Sequence, residues 1–162
     1  MGSSSIASSD LLRHCVATLA YRASKVLRDA PEGFSAYCAG GGTRTAGQIL
    51  AHIGDLFDWA LSLANGEHTW HVTPPGEWQA DVDRFFAALQ RFEARLAAPD
   101  PLGTSSERLF QGPVADALTH VGQLAILRRL AGAPVKGENY YKAEITAGRA
   151  GADQPAPRVE FD

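Results

Sequence analysis

Three polar side chains fall on predicted apolar helix faces, where they could bind a metal ion. Asp116 precedes His120 by four residues, so both side chains share one face of a helix. His52 lies on the apolar face of another predicted helix, one turn from Ile49 and Leu56. One carboxylate and two imidazoles make a three-ligand set that leaves coordination positions open, as in catalytic rather than structural sites. The pattern therefore predicts an open metal site at His52, Asp116 and His120.

The same three residues also have ordinary structural explanations. A lone histidine on an apolar face is usually a satisfied core residue. Asp116 falls in the first turn of its predicted helix, where a negative charge is favoured without any ligand. Polar pairs four residues apart are also common on helices. The spacing alone therefore leaves both the metal site and the purely structural interpretation open.

Four helices must position these side chains. Apolar residues recur at helical spacing over four segments, which are residues 9–30, 45–64, 77–97 and 113–131. Ser8 or Ser9 is the expected cap of the first helix, and Thr45 with Gln48 forms a capping-box pattern for the second. Pro113 suits the first position of the fourth helix. Amphipathic helices of this length bury their stripes as a bundle, so an all-α four-helix bundle is predicted.

The segments between and after the helices complete the predicted architecture. The connections are longer than hairpin loops, so we expect at least one to cross the bundle. Residues 137–162 are polar and rich in glycine and proline, which predicts an irregular tail packed through Tyr140, Tyr141 and Ile145. The 162 residues are expected to form one domain, because this length suits a single core.

Composition narrows the classes of function. Hydrophobic residues make up 45% and charged residues 20%, as in ordinary folded proteins, and the net charge is −3. The chain has no basic stripe, so we expect no nucleic-acid partner. It has no apolar run long enough to span a bilayer. Cys15 and Cys38 form no CxxC motif and no disulfide framework. These features predict a soluble, cytoplasmic protein.

Two stretches of the chain resemble the DinB-like superfamily of bacterial metal-binding four-helix bundles. The first is TAGQILAHIGDLFDWAL, residues 45–61, with His52 at the position of the family's first ligand. The second is GPVADALTHVGQLAILRRLAGAPV, residues 112–135, in which His120 to Gln123 match the family's H-x-G-Q. The segment ENYYKAEITAGRAG is similar to the family's closing segment. The similarity spans nearly the whole domain, and its most distinctive motif is on the fourth helix.

The resemblance implies further properties of the molecule. It implies a crossover between the second and third helices, a homodimer, and a divalent metal, often zinc or nickel, held by three histidines. This chain differs, because Asp116 stands where the family has the first histidine of an H-x-x-x-H pair. A carboxylate makes the site harder and more anionic, which favours zinc, iron or manganese, or leaves a degenerate site that binds weakly.

The resemblance also implies an activity. The family includes transferases and isomerases that use the metal to activate a low-molecular-weight thiol. We therefore expect a metal-dependent transferase, with a small-molecule thiol as a candidate substrate, or a hydrolase. The alternative is a non-catalytic, stress-related or scaffold bundle with a vestigial pocket.

Several other residues are secondary candidates. Asp55 could orient a metal-bound histidine or act as a base, or it could be a solvated charge. His68 and His71 could line the mouth of a pocket or be exposed loop residues. The hydroxyls of Tyr140 and Tyr141 could meet a substrate, or these rings could simply dock the tail.

Gly122 is the remaining unusual position. It lies within the fourth helix, where glycine costs stability relative to alanine. A close approach of another helix, at a dimer contact, would explain it.

Overall fold

Five α-helices and a short antiparallel ribbon make up the fold. The computed structural model describes the backbone of residues 2–161 and the side chains of residues 8–161; Met1 and Asp162, the ends of the predicted domain, lie outside it. The α-helices are α1 (Gly2–Leu27), α2 (Ala46–Ala64), α3 (Trp78–Ala97), α4 (Ser106–Leu109) and α5 (Ala115–Leu130). The strands are β1 (Gly137–Glu138) and β2 (Glu160–Phe161), and 3₁₀ turns occur at Phe34–Ala36 and Tyr140–Lys142. The prediction of a predominantly helical fold is confirmed.

The direction of α3 relative to α2 shows the crossover. Near the start of both helices, Arg84 Nη2 donates to the carbonyl of Ala51 at 2.6 Å. Near their ends, Arg95 Nε donates to Asn65 Oδ1 at 2.8 Å. The residue numbers rise together along the contact, so α2 and α3 are parallel. The segment between them therefore returns along the length of the bundle, as the resemblance implied.

The other two long helices run opposite to this pair. Arg13 Nε meets Glu93 Oε1 at 2.7 Å, and Trp78 Nε1 donates to the carbonyl of Leu27 at 3.3 Å, so α1 and α3 are antiparallel. Helix α5 packs on both α1 and α2 and lies antiparallel to α2. The four long helices thus have an up-down-down-up arrangement around one core. The largest side chains buried completely in that core are Phe57, Phe85, Phe92, Leu19, Leu50, Ile53, Leu89, Leu109 and Leu124.

Helix α2 begins where its capping box predicts. The backbone N–H of Gln48 donates to Thr45 Oγ1 at 3.2 Å, and the N–H of Thr45 donates to Gln48 Oε1 at 2.9 Å. The reciprocal bonds satisfy two amides that a helix start leaves without intrahelical partners. This start fixes the phase of α2 and therefore the face on which His52 lies.

Helix α1 differs from its predicted bounds at both ends. It begins at Gly2 rather than at a cap on Ser8 or Ser9, because serine is tolerated within helices at modest cost. It ends at Leu27 rather than Ala30, before Asp29, which has a left-handed φ of 52°. Arg128 is buried, and its Nη1 donates to the carbonyls of Val26 and Arg28, each at 2.9 Å. An arginine of α5 thus satisfies carbonyls left free at the end of α1.

The start of the fourth long helix was predicted wrongly. Pro113 does not occupy the first helical position but lies inside a π-helical turn, Phe110–Val114, that joins α4 to α5. The preceding helix α4 is capped by Ser105, whose side chain accepts from the N–H of Arg108. Proline lacks the N–H that an α-helix requires, and the wider π turn accommodates it. Asp116 is the second residue after this turn.

The tail is held by a buried charge cluster that the sequence pattern did not reveal. Glu138 is 5% exposed; it accepts from the hydroxyl of Tyr21 at 2.6 Å and from Lys25 Nζ at 3.0 Å. Lys25 also contacts Glu160 Oε1 at 2.6 Å, so both strands of the ribbon are tied to α1. Burial and the hydrogen bond to Glu138 raise the pKa of Tyr21 well above its usual range.

The aromatic residues of the tail behave unequally. Tyr140 packs as expected, with the guanidinium of Arg22 3.9 Å from its ring centre, and Ile145 is half-buried. Tyr141 is 96% exposed, so the prediction that it docks the tail is wrong. Both cysteines are free thiols. No helix within residues 2–161 combines the length and the apolar character needed to cross a bilayer.

Asp55 fastens the crossover segment to the two parallel helices. It is 3% exposed; it accepts from Thr73 through the backbone N–H at 2.9 Å and the hydroxyl at 2.6 Å, and from Arg84 Nη1 at 3.0 Å. It therefore neither orients a histidine nor stands in solvent, and both expectations for it are wrong. A Cβ on Gly54 would lie 2.6 Å from Arg84 Nη2, so glycine leaves the space that the guanidinium uses.

Replacing this carboxylate should destabilise the fold. In Asp55→Ala, Thr73 and the largely buried Arg84 lose their shared acceptor, and we expect about 2–4 kcal/mol less stability in urea denaturation. Asp83→Ala is the matched control, since Asp83 is exposed on α3, and it should change stability by under about 0.5 kcal/mol. Equal stability of the two variants would contradict the role of Asp55.

Candidate metal centre

Helices α2 and α5 bring the three predicted ligands together. His52 Nε2 lies 3.5 Å from Asp116 Oδ2, and His120 Nε2 lies 3.4 Å from Asp116 Oδ1. The two imidazole rings meet edge to face, with centres 4.8 Å apart. One ligand atom from each residue can be chosen so that all lie within 4.8 Å of one another. Within the described part of the chain, no second group of histidine, cysteine, aspartate and glutamate converges in this way.

The spacing of these atoms fits a divalent ion. Two ligands about 2.1 Å from a tetrahedral ion are about 3.4 Å apart. The nitrogen–oxygen separations of 3.4 and 3.5 Å match this value and are longer than good hydrogen bonds. Each histidine also faces a different oxygen of Asp116. The donor set and its spacing are therefore those of a group that could hold a metal ion.

Gln123 orients the ring of His120. Its Oε1 lies 2.8 Å from His120 Nδ1, one turn further along α5. With Nδ1 as the donor of this bond, His120 Nε2 carries a lone pair directed at the Asp116 carboxylate. Two acceptors that face each other are favourable only with a cation or a proton between them. Such outer hydrogen bonds commonly fix the tautomer of metal-bound histidines.

The surroundings of His52 favour its neutral form. Burial lowers the pKa of His52, and its electrostatic interactions with His120 and Arg44 lower it further, while Asp116 acts in the opposite direction. Neutral imidazole is the form that binds metal, so burial of His52 prepares it as a ligand. The Trp70 ring contacts the His52 ring in an edge-to-face arrangement, with ring centres 5.8 Å apart.

Asp116 is more accessible than the sequence suggested. Its side chain is 46% exposed, against 20% for His52 and 12% for His120. Water can therefore solvate the carboxylate, and its charge does not by itself require a cation. The argument for a metal comes from the convergence of the ligand atoms rather than from the burial of Asp116.

A cleft of about 920 Å³ opens onto the three side chains. Its volume is in the range typical of small-molecule sites. It is lined on one side by apolar residues of α2 and α5 and on the other by the segment that precedes α2, including Ala39, Thr43, Arg44, Ile49, Ile126 and Leu127. Sequence reasoning missed Arg44, because it belongs to no motif and its only signal is its position directly before the cap of α2.

The other candidates lie outside this group. His68 stacks on Trp59, with ring centres 5.8 Å apart, and His71 is exposed. From this loop the tryptophan Trp70, rather than either histidine, reaches the site. Tyr140 and Tyr141 do not line the cleft.

Comparisons with known proteins identify no relative. No family model matches the chain, and neither the curated proteins nor the solved structures include a significant match. The resemblance to the DinB-like superfamily therefore rests on sequence motifs alone.

Removing the partner of His120 should weaken metal binding without removing a ligand. In Gln123→Leu the imidazole loses the acceptor that fixes its tautomer, and zinc affinity should fall about 10–100-fold in competition with a chromogenic chelator. Gln123→Glu retains an acceptor and should bind nearly as tightly as the wild type. Gln79→Leu, on the exposed start of α3, is the control and should have no effect. Unchanged affinity of Gln123→Leu would contradict the orienting role.

Proposed function

We propose that this protein is a metal-dependent enzyme of the DinB-like superfamily that acts on a small molecule, as a transferase with a low-molecular-weight thiol or as a hydrolase. The observation that carries the proposal is the convergence of His52, Asp116 and His120 at the floor of an open cleft. The up-down-down-up order of the helices and the H-x-G-Q motif support the family assignment.

Each residue of the site would have a distinct role in binding an ion. His52 and His120 would supply nitrogen ligands and Asp116 an oxygen ligand, while Gln123 holds the ring of His120. A divalent ion bound there would act as a Lewis acid and lower the pKa of a bound water or thiol. The apolar wall of Ile49, Ile126 and Leu127 would limit the access of water. Asp55 is committed to Thr73 and Arg84 and takes no part as a base.

The ligand types favour certain ions. Two imidazoles suit zinc, iron and nickel, and the carboxylate adds hardness that suits zinc, iron and manganese. Zinc satisfies both preferences and tolerates three protein ligands with an open position. We therefore take zinc as the probe ion.

The second candidate function is a non-catalytic bundle with a vestigial pocket. The exposure of Asp116 favours it, because a carboxylate solvated by water needs no metal. The two candidates differ in one measurable property, which is stoichiometric metal binding.

Metal content separates the two candidates. Protein purified without an affinity tag or chelator should contain close to one divalent ion per chain by elemental analysis, and His120→Ala should lose it. Circular dichroism should show nearly unchanged helical content, because the His120 ring borders the cleft rather than the core. His71→Ala, in the exposed loop, is the control and should retain the ion. Equal zinc uptake by the wild type and His120→Ala would place the ion elsewhere; a wild type without stoichiometric metal would favour the vestigial pocket.

We also propose that the protein is a homodimer that associates through the outer face of α5. A Cβ built on Gly122 meets no atom within 4 Å, so nothing in the single chain requires glycine there. Leu130 lies eight residues further along α5, outside the cleft, and is 56% exposed. A glycine and an exposed leucine on one helix suit the close approach of a second helix.

Substitution of Gly122 tests this interface. In an isolated chain Gly122→Ala should raise the free energy of unfolding by up to about 1 kcal/mol, since alanine is the better helix former and has space. In a dimer the larger Gly122→Leu side chain should weaken association. Light scattering should give twice the 17.3 kDa chain mass for the wild type and a lower mass for Gly122→Leu at micromolar protein. A concentration-independent monomer for the wild type would refute the dimer.

A further inference from the structure

Arg44 is a cation at the cleft that forms no ion pair with the side chains that the structure describes. Its side chain is exposed and lines the cleft beside His52. Among the side chains of residues 8–161, no carboxylate lies within ion-pair distance of its guanidinium. By contrast, Arg84 and Arg95 donate to acceptors on neighbouring elements.

Two local structures fix the backbone on either side of Arg44. Before it, Gly40, Gly41 and Gly42 all have positive φ, and the turn closes with a bond from the Thr43 N–H to the Gly40 carbonyl at 3.1 Å. Directly after it, Thr45 is the cap of α2. The position of the Arg44 backbone is thus fixed on one side by a turn of left-handed residues and on the other by the capping box of α2.

Helix stability does not explain a cation at this position. The N-terminus of a helix carries partial positive charge, which favours acidic residues nearby and disfavours basic ones. Arg44 precedes α2 by two residues, so its charge adds to that of the helix end. An anion in the cleft would be stabilised by the guanidinium of Arg44.

Apart from Thr43, Thr119 and Gln123, the remainder of the cleft lining is apolar. Ile49 and Leu127 are buried in its wall, and Ile126 presents exposed apolar surface. A divalent ion held by two neutral histidines and one carboxylate would leave a net charge of about +1, and Arg44 adds another. The cleft is therefore complementary to a molecule with one anionic end and an apolar body.

We propose that the cleft binds an amphipathic carboxylate, with its charged group on Arg44 and its apolar body along Ile49, Ile126 and Leu127. As an assignment of substrate class, this rests on the proposed function, because the same ligand would lie beside the metal centre. Recognition of the carboxylate by Arg44 does not itself require the ion.

Octanoate is a suitable probe. Its affinity for the zinc-loaded and the metal-free protein can be measured by isothermal titration calorimetry. The wild type should bind octanoate in both forms. Acetate, which lacks the chain, and 1-octanol, which lacks the charge, should each bind at least tenfold more weakly. Arg44→Gln should lose at least tenfold in octanoate affinity in both forms, and Arg44→Lys should recover part of the loss. Arg129→Gln, exposed on α5 and outside the cleft, is the matched control and should bind like the wild type.

The outcomes separate this inference from the proposed function. Equal octanoate affinity of Arg44→Gln and the wild type would overturn it, and so would 1-octanol or acetate binding as tightly as octanoate. Absence of octanoate binding to the wild type in both forms would also overturn it. Octanoate binding that depends on Arg44 in a protein that takes up no zinc would support the carboxylate site while refuting the metal-dependent activity.

Discussion

The parallel pairing of α2 and α3 is the constraint on which the rest of the structure depends. Two consecutive parallel helices require the chain to return along the bundle, and a polar segment laid over the core must find partners for its backbone groups. Asp55 provides one such partner, because its carboxylate accepts a hydrogen bond from the backbone N–H of Thr73 in the crossover. Arg84 of α3 donates to the same carboxylate and balances its negative charge. With α3 and the crossover fixed on one side of α2, the face that carries His52 is left for α5. The convergence of His52, Asp116 and His120 thus follows from the packing order.

Local signals predicted the parts of this structure that local interactions determine. The capping box at Thr45 and Gln48 placed the start of α2 correctly, and the bulky stripe of α3 gave its bounds to within a residue. The end of α1 was missed because it depends on Asp29 and on Arg128 about 100 residues away in sequence. The buried cluster around Glu138 was missed for the same reason: its partners come from opposite ends of the chain.

The candidate site also contains residues that local sequence patterns predict and residues that they do not. His52, Asp116 and His120 could be predicted as a group, because each lies on a face whose direction the helical period fixes. Arg44 could not be predicted as part of the site, because a loop residue belongs to no periodic pattern. Whether it lines a cleft depends on which helices pack beside the loop. Asp55 was misinterpreted as a partner of His52 because the two residues lie three positions apart on one helix. Its carboxylate instead accepts a hydrogen bond from Thr73 of the crossover segment. Periodicity locates a face but does not identify what packs against it.

The π turn between α4 and α5 has an evolutionary consequence. An α-helix advances about 100° per residue, so the additional residue of a π turn changes the relative phase of the segments on either side. Leu109 of α4 and Val114 of the turn are both fully buried, while Asp116 and His120 face α2. A one-residue deletion in Phe110–Val114 would force either the buried residues or the ligand pair to turn away. Gain or loss of a single codon at this turn could therefore bring together or separate His52, Asp116 and His120 in a lineage while all three residues remained in the gene.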